Sequence, residues 1–243
     1  MRLAAFDLEI AKILPQEVKD LKEHAPLGIS CAAVARSDGQ EVDLWSGYPQ
    51  MTEDECRSMV TRLQALVEDG YTLVSWNGAS FDFFVLAQES GLVKECGDLA
   101  LGHVDLMTIV TFSKGYYLGL DKALAGAGLS GKLKSVLLKD GSTLSGMSGA
   151  QAPIMWQAGE QDAVIEYLKG DVTQLLALAE KVKQTKTIRW NSNRGKPQSV
   201  RVKKLMAVSE CFAIPQPDTS WMSNPPRRSG FVDWIPDWQS KVG

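Results

Sequence analysis

Leu3-Ala4-Ala5-Phe6-Asp7-Leu8-Glu9-Ile10 is an apolar, strand-sized run interrupted by two acids two residues apart. Side chains alternate between the faces of a strand, so Asp7 and Glu9 project from one face, about 7 Å apart along the chain. Ala5, Phe6, Leu8 and Ile10 mark a strand that the rest of the fold covers. Two unpaired carboxylates there are costly, and a hard divalent cation relieves that cost. Read alone, the same pair equally describes a strand end with two solvated acids, because short motifs recur by accident.

Working outward, Gly28 to Arg36 and Glu41 to Trp45 read as two further strands joined by the turn Ser37-Asp38-Gly39-Gln40, an N-terminal meander. Thr52 to Asp69 has Met59, Leu63, Leu66 and Val67 at helical spacing, Thr52 and Glu55 as a capping box, and Gly70 as a stop. Tyr71 to Trp76 is a β-prone run ending at Asn77-Gly78. A helix over Phe81 to Glu89 follows, with Ser80 as N-cap. His103 to Phe112 reads as a short strand running into a helix, Leu120 to Ala127 as a small helix, and Ser142 to Gly149 as a loop of small residues. Asp162 to Val182 is strongly periodic and predicts a long helix. Thr187 to Trp190 and Ser199 to Val202 flank the turn Asn193-Arg194-Gly195-Lys196, which predicts a hairpin, and the Pro-rich tail reads as extended. The order β-β-β-α-β-α-β-α predicts an α/β architecture, a mixed sheet flanked by helices.

The chain has 243 residues, 44% of them hydrophobic, enough for one substantial core with an extension. The apolar runs are strand-sized and broken by charge, and the first ten residues carry an acidic pair. Neither a membrane span nor a signal peptide is visible, and the expected location is the cytoplasm. Cys31, Cys56, Cys96 and Cys211 are scattered and only His24 and His103 accompany them, which argues against a zinc cage and for reduced, buried thiols. Residues 1–180 carry 14 Lys/Arg against 25 Asp/Glu, whereas residues 181–243 carry 12 against 4. An acidic body with a basic C-terminal arm fits a cation centre beside a polyanion-binding surface. A solvated charged face on an ordinary hairpin explains the basic run equally well.

Two more stretches carry chemistry. In Asn77-Gly78-Ala79-Ser80-Phe81-Asp82, a lone acid opens a helix after a strand and a tight turn, near the end of the sheet where α/β sites form. The carboxylate also suits a helix N-terminus, so Asp82 alone need mean no more than that. Tyr167 and Asp171 stand one turn apart on one face of the long helix, with Gly170 between them. A mid-helix glycine costs up to about 1 kcal/mol relative to alanine, unless another backbone or a ligand approaches closely there. A tyrosine bonding its helix neighbour is the commoner meaning of such a pair.

Taken together and in this order, the three stretches resemble the Exo I (Asp-x-Glu), Exo II (Asn-Gly-x-x-Phe-Asp) and Exo III (Tyr-x-x-x-Asp) motifs of the DEDDy 3′-to-5′ exonucleases, a branch of the ribonuclease H-like superfamily. The likeness is to the proofreading exonuclease domains of family B DNA polymerases and their stand-alone bacterial relatives. It covers roughly residues 1–183, including His103-Val104-Asp105-Leu106-Met107 and Leu120-Asp121-Lys122-Ala123-Leu124, and leaves residues 184–243 as a basic hairpin and Pro/Trp-containing extension. The resemblance implies a five-stranded mixed sheet and two divalent cations, Mg²⁺ or Mn²⁺, held by Asp7, Glu9, Asp82 and Asp171. Asp7 bridges both ions, Glu9 and Asp171 complete the first site, Asp82 holds the second, and Tyr167 orients the attacking water. The histidine branch of the family needs a His where this chain has Glu166.

The implied partner is nucleic acid with a single-stranded 3′ end, DNA favoured over RNA, and the products are nucleoside 5′-monophosphates. Asn77 and Phe81 are expected to contact the terminal nucleotide, although Phe81 is equally a core residue. Arg189, Arg194 and Lys196 are expected to meet phosphates and Trp190 to stack a base. A Trp190 packed against the main domain is an equal alternative. Lys132 and Lys134 are further phosphate candidates. An exoribonuclease on the same fold, a non-catalytic nucleic-acid-binding module and an endonuclease of the superfamily are the rivals. The Pro-rich segment and Phe231, Trp234 and Trp238 either pack on the body or bind a protein partner, and the oligomeric state is not legible.

Overall fold

The computed structural model describes all residues except Gln16, Glu17, Lys19, Gln40 and Gly243, so the Gln40 end of the expected turn after Ser37 lies outside the described residues. Its centre is a five-stranded sheet in the order β3-β2-β1-β4-β5, built from β1 (Arg2–Ile10), β2 (Ile29–Arg36), β3 (Val42–Ser46), β4 (Tyr71–Ser75) and β5 (Val104–Asp105). β1, β2 and β3 form the antiparallel meander, while β1 pairs parallel with β4 and β4 parallel with β5. This is the mixed sheet that the element order predicts.

Register decides which face carries the acids. Asp7 lies opposite Ala33 and Glu9 opposite Cys31. Alternation therefore puts both acids on the face where Cys31, Ala33 and Ala35 pack beneath the long helix α7 (Gln161–Thr185) through Tyr167, Leu168 and Val172. The opposite face, with Phe6, Leu8, Ala32 and Val34, packs against α1 (Glu53–Glu68) and α2 (Asp82–Ser90). Thr52 and Glu55 form the expected capping box on α1.

Several boundaries differ from the sequence reading. Helix α2 begins at Asp82 with Phe81 as its N-cap and no side-chain cap, so Ser80 does not cap it. The Asn77 backbone has φ 76, and Phe81 and Phe83 close the turn by donating to the Asn77 and Gly78 carbonyls, which does the work expected of a cap. A helix α3 (Val93–Gly102) precedes β5, and α4 (Leu106–Lys114) and α5 (Leu120–Gly126) follow it. Residues 142–149 are not purely a loop. β7 (Thr143–Ser145) pairs there with β6 (Ser135–Leu137), and α6 (Ala152–Gln157) comes next.

The basic arm forms the expected hairpin, β8 (Thr187–Asn191) with β9 (Pro197–Arg201). The tail is not extended: it folds into α8 (Val208–Cys211) and short 3-10 turns. Ile188, Trp190, Val200, Val208, Phe231 and Ile235 join the same hydrophobic cluster as Leu3, Phe6 and Phe83. Among the described residues no helix is long and apolar enough to cross a membrane.

Candidate active site

Asp7 and Glu9 on β1, Asp82 at the start of α2, and Tyr167 and Asp171 on α7 converge at one edge of a cleft of about 600 Å³. Glu9, Asp82, Tyr167 and Asp171 are each less than 10% exposed. Asp7 accepts from the Leu8 backbone N–H at 3.0 Å and shares a side-chain hydrogen bond with Asp82. Burial pushes the Asp7, Glu9 and Asp82 carboxyls up, and Asp7 adds repulsion on both Glu9 and Asp82. Burial likewise lifts Asp171 to about 6. Negative charge is thus crowded where water cannot dissipate it.

Among the described residues, Lys132 faces this charge. Lys132 Nζ donates to Asp171 Oδ2 and lies 3.3 Å from the Tyr167 hydroxyl. Burial pulls this ammonium down, but Asp7, Asp171 and Tyr167 together outweigh burial and hold it above the ordinary lysine value. The Lys132 segment packs on α7 beside Gly170, where a Cβ would meet Cδ1 of the exposed Leu133 side chain at 2.6 Å.

The carboxylate donor set suits a hard divalent cation such as Mg²⁺ or Mn²⁺. A second observation agrees: Asp171 Oδ1 is buried and, among the described residues, has no hydrogen-bond partner. Among the same residues no trio of His, Cys, Asp or Glu side chains is gathered closely enough to chelate an ion as it stands. Asp7 is turned to Asp82, and Asp171 is held by Lys132. The donors fit the cations, with Lys132 taking up part of the charge they would neutralise.

The Asp82 loop is fixed from beneath by residues whose role the sequence leaves unassigned. Buried Asp105 accepts from the backbone N–H groups of Asn77, Ala79, Met107 and Thr108 at 2.9 to 3.2 Å, tying the Asn77-Gly78 turn to β5 and α4. His103 donates through Nδ1 to the Ala100 carbonyl at 2.7 Å, so its Nε2 accepts from the Ser75 hydroxyl at 2.8 Å. Ser75 Oγ in turn accepts from Gly78 N, and a Cβ on Gly78 would meet that oxygen at 2.4 Å. Burial lowers the His103 pKa, which keeps the ring neutral in this relay.

These parts match a known family. Residues 16–183 match the model of the RNase_H superfamily. The chain belongs to the RNase_H superfamily. The matched stretch contains Asp82, Tyr167 and Asp171 and starts after β1, which carries Asp7 and Glu9. Membership supports nuclease-type chemistry in general terms. Among solved structures, the family B DNA polymerase from the hyperthermophilic archaeon Pyrobaculum calidifontis is similar over 74% of this chain, with a TM-score of 0.55 and 22% identity. The similar part is 24% of that polymerase's length, and likeness at this identity speaks for the fold alone. No curated protein matches the chain.

Asn77 and Phe81 both line the cleft, with Trp76, Leu14 and Ile154 as apolar neighbours. Arg189, Arg194 and Lys196 are exposed on the hairpin and do not line the cleft. Trp190 is 3% exposed and packs edge-on to Tyr116 at 6.4 Å, so it serves the core and offers no face to a base. Lys132 sits inside the site; its signal in the sequence is the Gly-rich break before it. Lys134 is exposed beside it.

Proposed function

We propose that this chain is a divalent-metal-dependent 3′-to-5′ exonuclease that releases nucleoside 5′-monophosphates from a single-stranded 3′ end, DNA favoured over RNA. The observation that carries the reading is the convergence of Asp7, Glu9, Asp82 and Asp171 in a buried cluster. Their charge exceeds what Lys132 offsets, and Tyr167 stands beside them.

In this reading Asp7, Glu9, Asp82 and Asp171 would hold the two divalent cations, and Lys132 would give up Asp171 to them. Bound there, such cations would supply acidification of water and stabilisation of the charge on the attacking and leaving oxygens. Asn77 and Phe81 hold the terminal nucleotide against the wall formed with Trp76. The Tyr167 phenol, pushed up by burial and by Asp171, stays protonated at neutral pH and orients the water without acting as its base. The water oxygen bonds to the terminal phosphorus, the P–O3′ bond breaks, the departing O3′ takes up a proton, and the water proton passes to solvent. Lys132, freed from Asp171, would be available to the scissile phosphate.

The test uses 5′-labelled single-stranded DNA and RNA of equal sequence with Mg²⁺ or Mn²⁺, with EDTA and Asp7→Ala as controls. A ladder shortening from the 3′ end, lost in both controls, is the expected result, and the better-cut strand identifies the preferred sugar. Intact strands in every lane, with binding retained, would overturn the reading in favour of a non-catalytic binding module. Internal cuts would favour an endonuclease.

A further inference from the structure

Cations lead from the carboxylate cluster to the basic hairpin, with Asp121 between the first two. Lys132 reaches Asp171, and its backbone N–H points at Asp121 Oδ1 at 3.4 Å, at the start of α5. The next residue, Lys122, donates to Asn193 Oδ1 in the hairpin turn at 2.6 Å, beside Arg194 and Lys196. Strand β8 then runs back along α5. At Gly126 the approach is so close that a Cβ would stand 1.8 Å from the Arg189 carbonyl oxygen. There Arg189 and Lys181 line a groove of about 300 Å³ between α5 and α7. In sequence from the site, the cations are therefore Lys132, Lys122, Arg194 with Lys196, and Arg189 with Lys181.

Three features point to a polyanionic ligand. Among the described residues none of Lys122, Lys181, Arg189, Arg194 and Lys196 stands within ion-pair distance of a carboxylate. All five are exposed. Their carriers are rigid, because Ile188, Trp190 and Val200 bury the other hairpin face in the core. Like charges held side by side on a rigid surface repel one another, and neutralisation by a linear phosphodiester relieves this.

We propose that this row is the track of a single-stranded polynucleotide backbone, with the 3′ end at the carboxylates and the upstream phosphates on the hairpin. The 3′-end placement rests on the exonuclease reading; the track does not. Helix α7 gives the scale: Asp171 and Lys181 are ten residues apart on it, about 15 Å at 1.5 Å per residue. That span takes about four to five nucleotides of a strand stacked at 3.4 Å each, and fewer of an extended one. A tetranucleotide leaves the distal cations partly unengaged, and a strand of eight or more covers the whole row.

The test compares wild-type protein with the triple variant R189Q/R194Q/K196Q on 5′-fluorescein-labelled oligothymidylates of 4, 8 and 16 nucleotides. Binding of the 8-mer and 16-mer is read by anisotropy in EDTA, and kcat/KM on the 4-mer and 16-mer in Mn²⁺. In wild type the 8-mer and 16-mer bind alike, and kcat/KM on the 16-mer exceeds that on the 4-mer by about tenfold or more. In the variant that ratio falls toward one, and the salt slope of 16-mer binding drops by about 2, three lost contacts at about 0.7 each. Unchanged 16-mer affinity and salt slope in the variant overturn the track. Cleavage that fails everywhere while wild type binds the 16-mer and the variant loses affinity and salt slope overturns the exonuclease reading and leaves the track standing.

Discussion

The indole Nε1 of Trp234 donates to the carbonyl of Ala79 at 2.8 Å, joining the C-terminal segment to the Asp82 loop across 155 residues of chain. The same indole packs edge-on against Phe84, and Ile235 fills the space left by Gly97 on α3. Asp105 and Ser75 hold the loop from the sheet side, and Trp234 holds it from the other. Trp234→Phe removes the N–H and keeps a ring. The variant is expected to lose about 1 kcal/mol of stability, the net worth of one hydrogen bond. If the loop positions Asp82 for turnover, kcat falls by about fivefold or more while KM moves little. Equal kcat in variant and wild type would make the contact one of packing only.

The buried carboxylates set function against stability. Asp82 is pushed up by burial and by Asp7, so the folded protein favours its neutral form. Asp82→Asn mimics that form. It is expected to raise the melting temperature of metal-free protein by about 2 to 4 °C per kcal/mol relieved, and to lower hydrolysis by about a thousandfold or more. Calorimetry in EDTA and a nuclease assay on one preparation read both effects. A variant that is both less stable and active would refute the cation assignment for Asp82.

Much of this arrangement was legible in the sequence because it follows from period. Alternation along Leu3 to Ile10 gave the shared face of Asp7 and Glu9, and helical spacing from Asp162 gave the shared face of Tyr167 and Asp171. Contacts between distant segments carry no period. Nothing local to Trp234 tells that it meets Ala79, and nothing local to Lys132 tells that it meets Asp171. Trp190 shows the reverse problem. Its basic neighbours suggest a nucleic-acid surface, yet strand alternation turns Arg189 outward and Trp190 inward. The tail's prolines suggested an extended chain, whereas Phe231, Val232 and Ile235 supply enough apolar area to anchor it.

Protons and cations are expected to compete at Asp171. Its carboxyl is raised from 3.8 to about 6 by burial. A group raised in this way contributes stability that is fully present below its unfolded pKa and is lost as pH rises through about 6. Metal-free protein therefore bears its largest carboxylate cost at pH 8, where a bound cation has most to offset. The rise in melting temperature on adding Mn²⁺ should be larger at pH 8 than at pH 5.5. His103 titrates in the opposite sense, but it does so with and without Mn²⁺, so the metal increment isolates the carboxylates. An increment independent of pH would place the ion elsewhere.

Tyr167→Phe removes the hydroxyl that stands 3.3 Å from Lys132 and leaves the buried ring in place. Turnover is expected to fall by about tenfold or more while the Mn²⁺ concentration for half-maximal activity stays within about twofold, as for a group that orients water and holds no metal. Full activity would demote the tyrosine to packing, and a large change in the Mn²⁺ requirement would make it part of the ion site.

Gly126 is where the hairpin meets the body. A Cβ on this residue would stand 1.8 Å from the Arg189 carbonyl oxygen and 2.7 Å from Trp190 Cα, both backbone atoms that cannot rotate aside. Gly126→Ala therefore has to push β8 off α5. Alanine favours a helix by about 1 kcal/mol over glycine, but overpacking of this kind costs about 1 to 3 kcal/mol or more, so the net effect is expected to be destabilising. The displaced hairpin also moves Asn193 away from Lys122 and pulls Trp190 from Tyr116. Trp190 fluorescence should shift to the red and affinity for a 16-mer oligothymidylate should fall, with the carboxylate cluster left intact. If Gly126→Ala melts like the wild type with unchanged fluorescence, the hairpin is not seated on α5 as described.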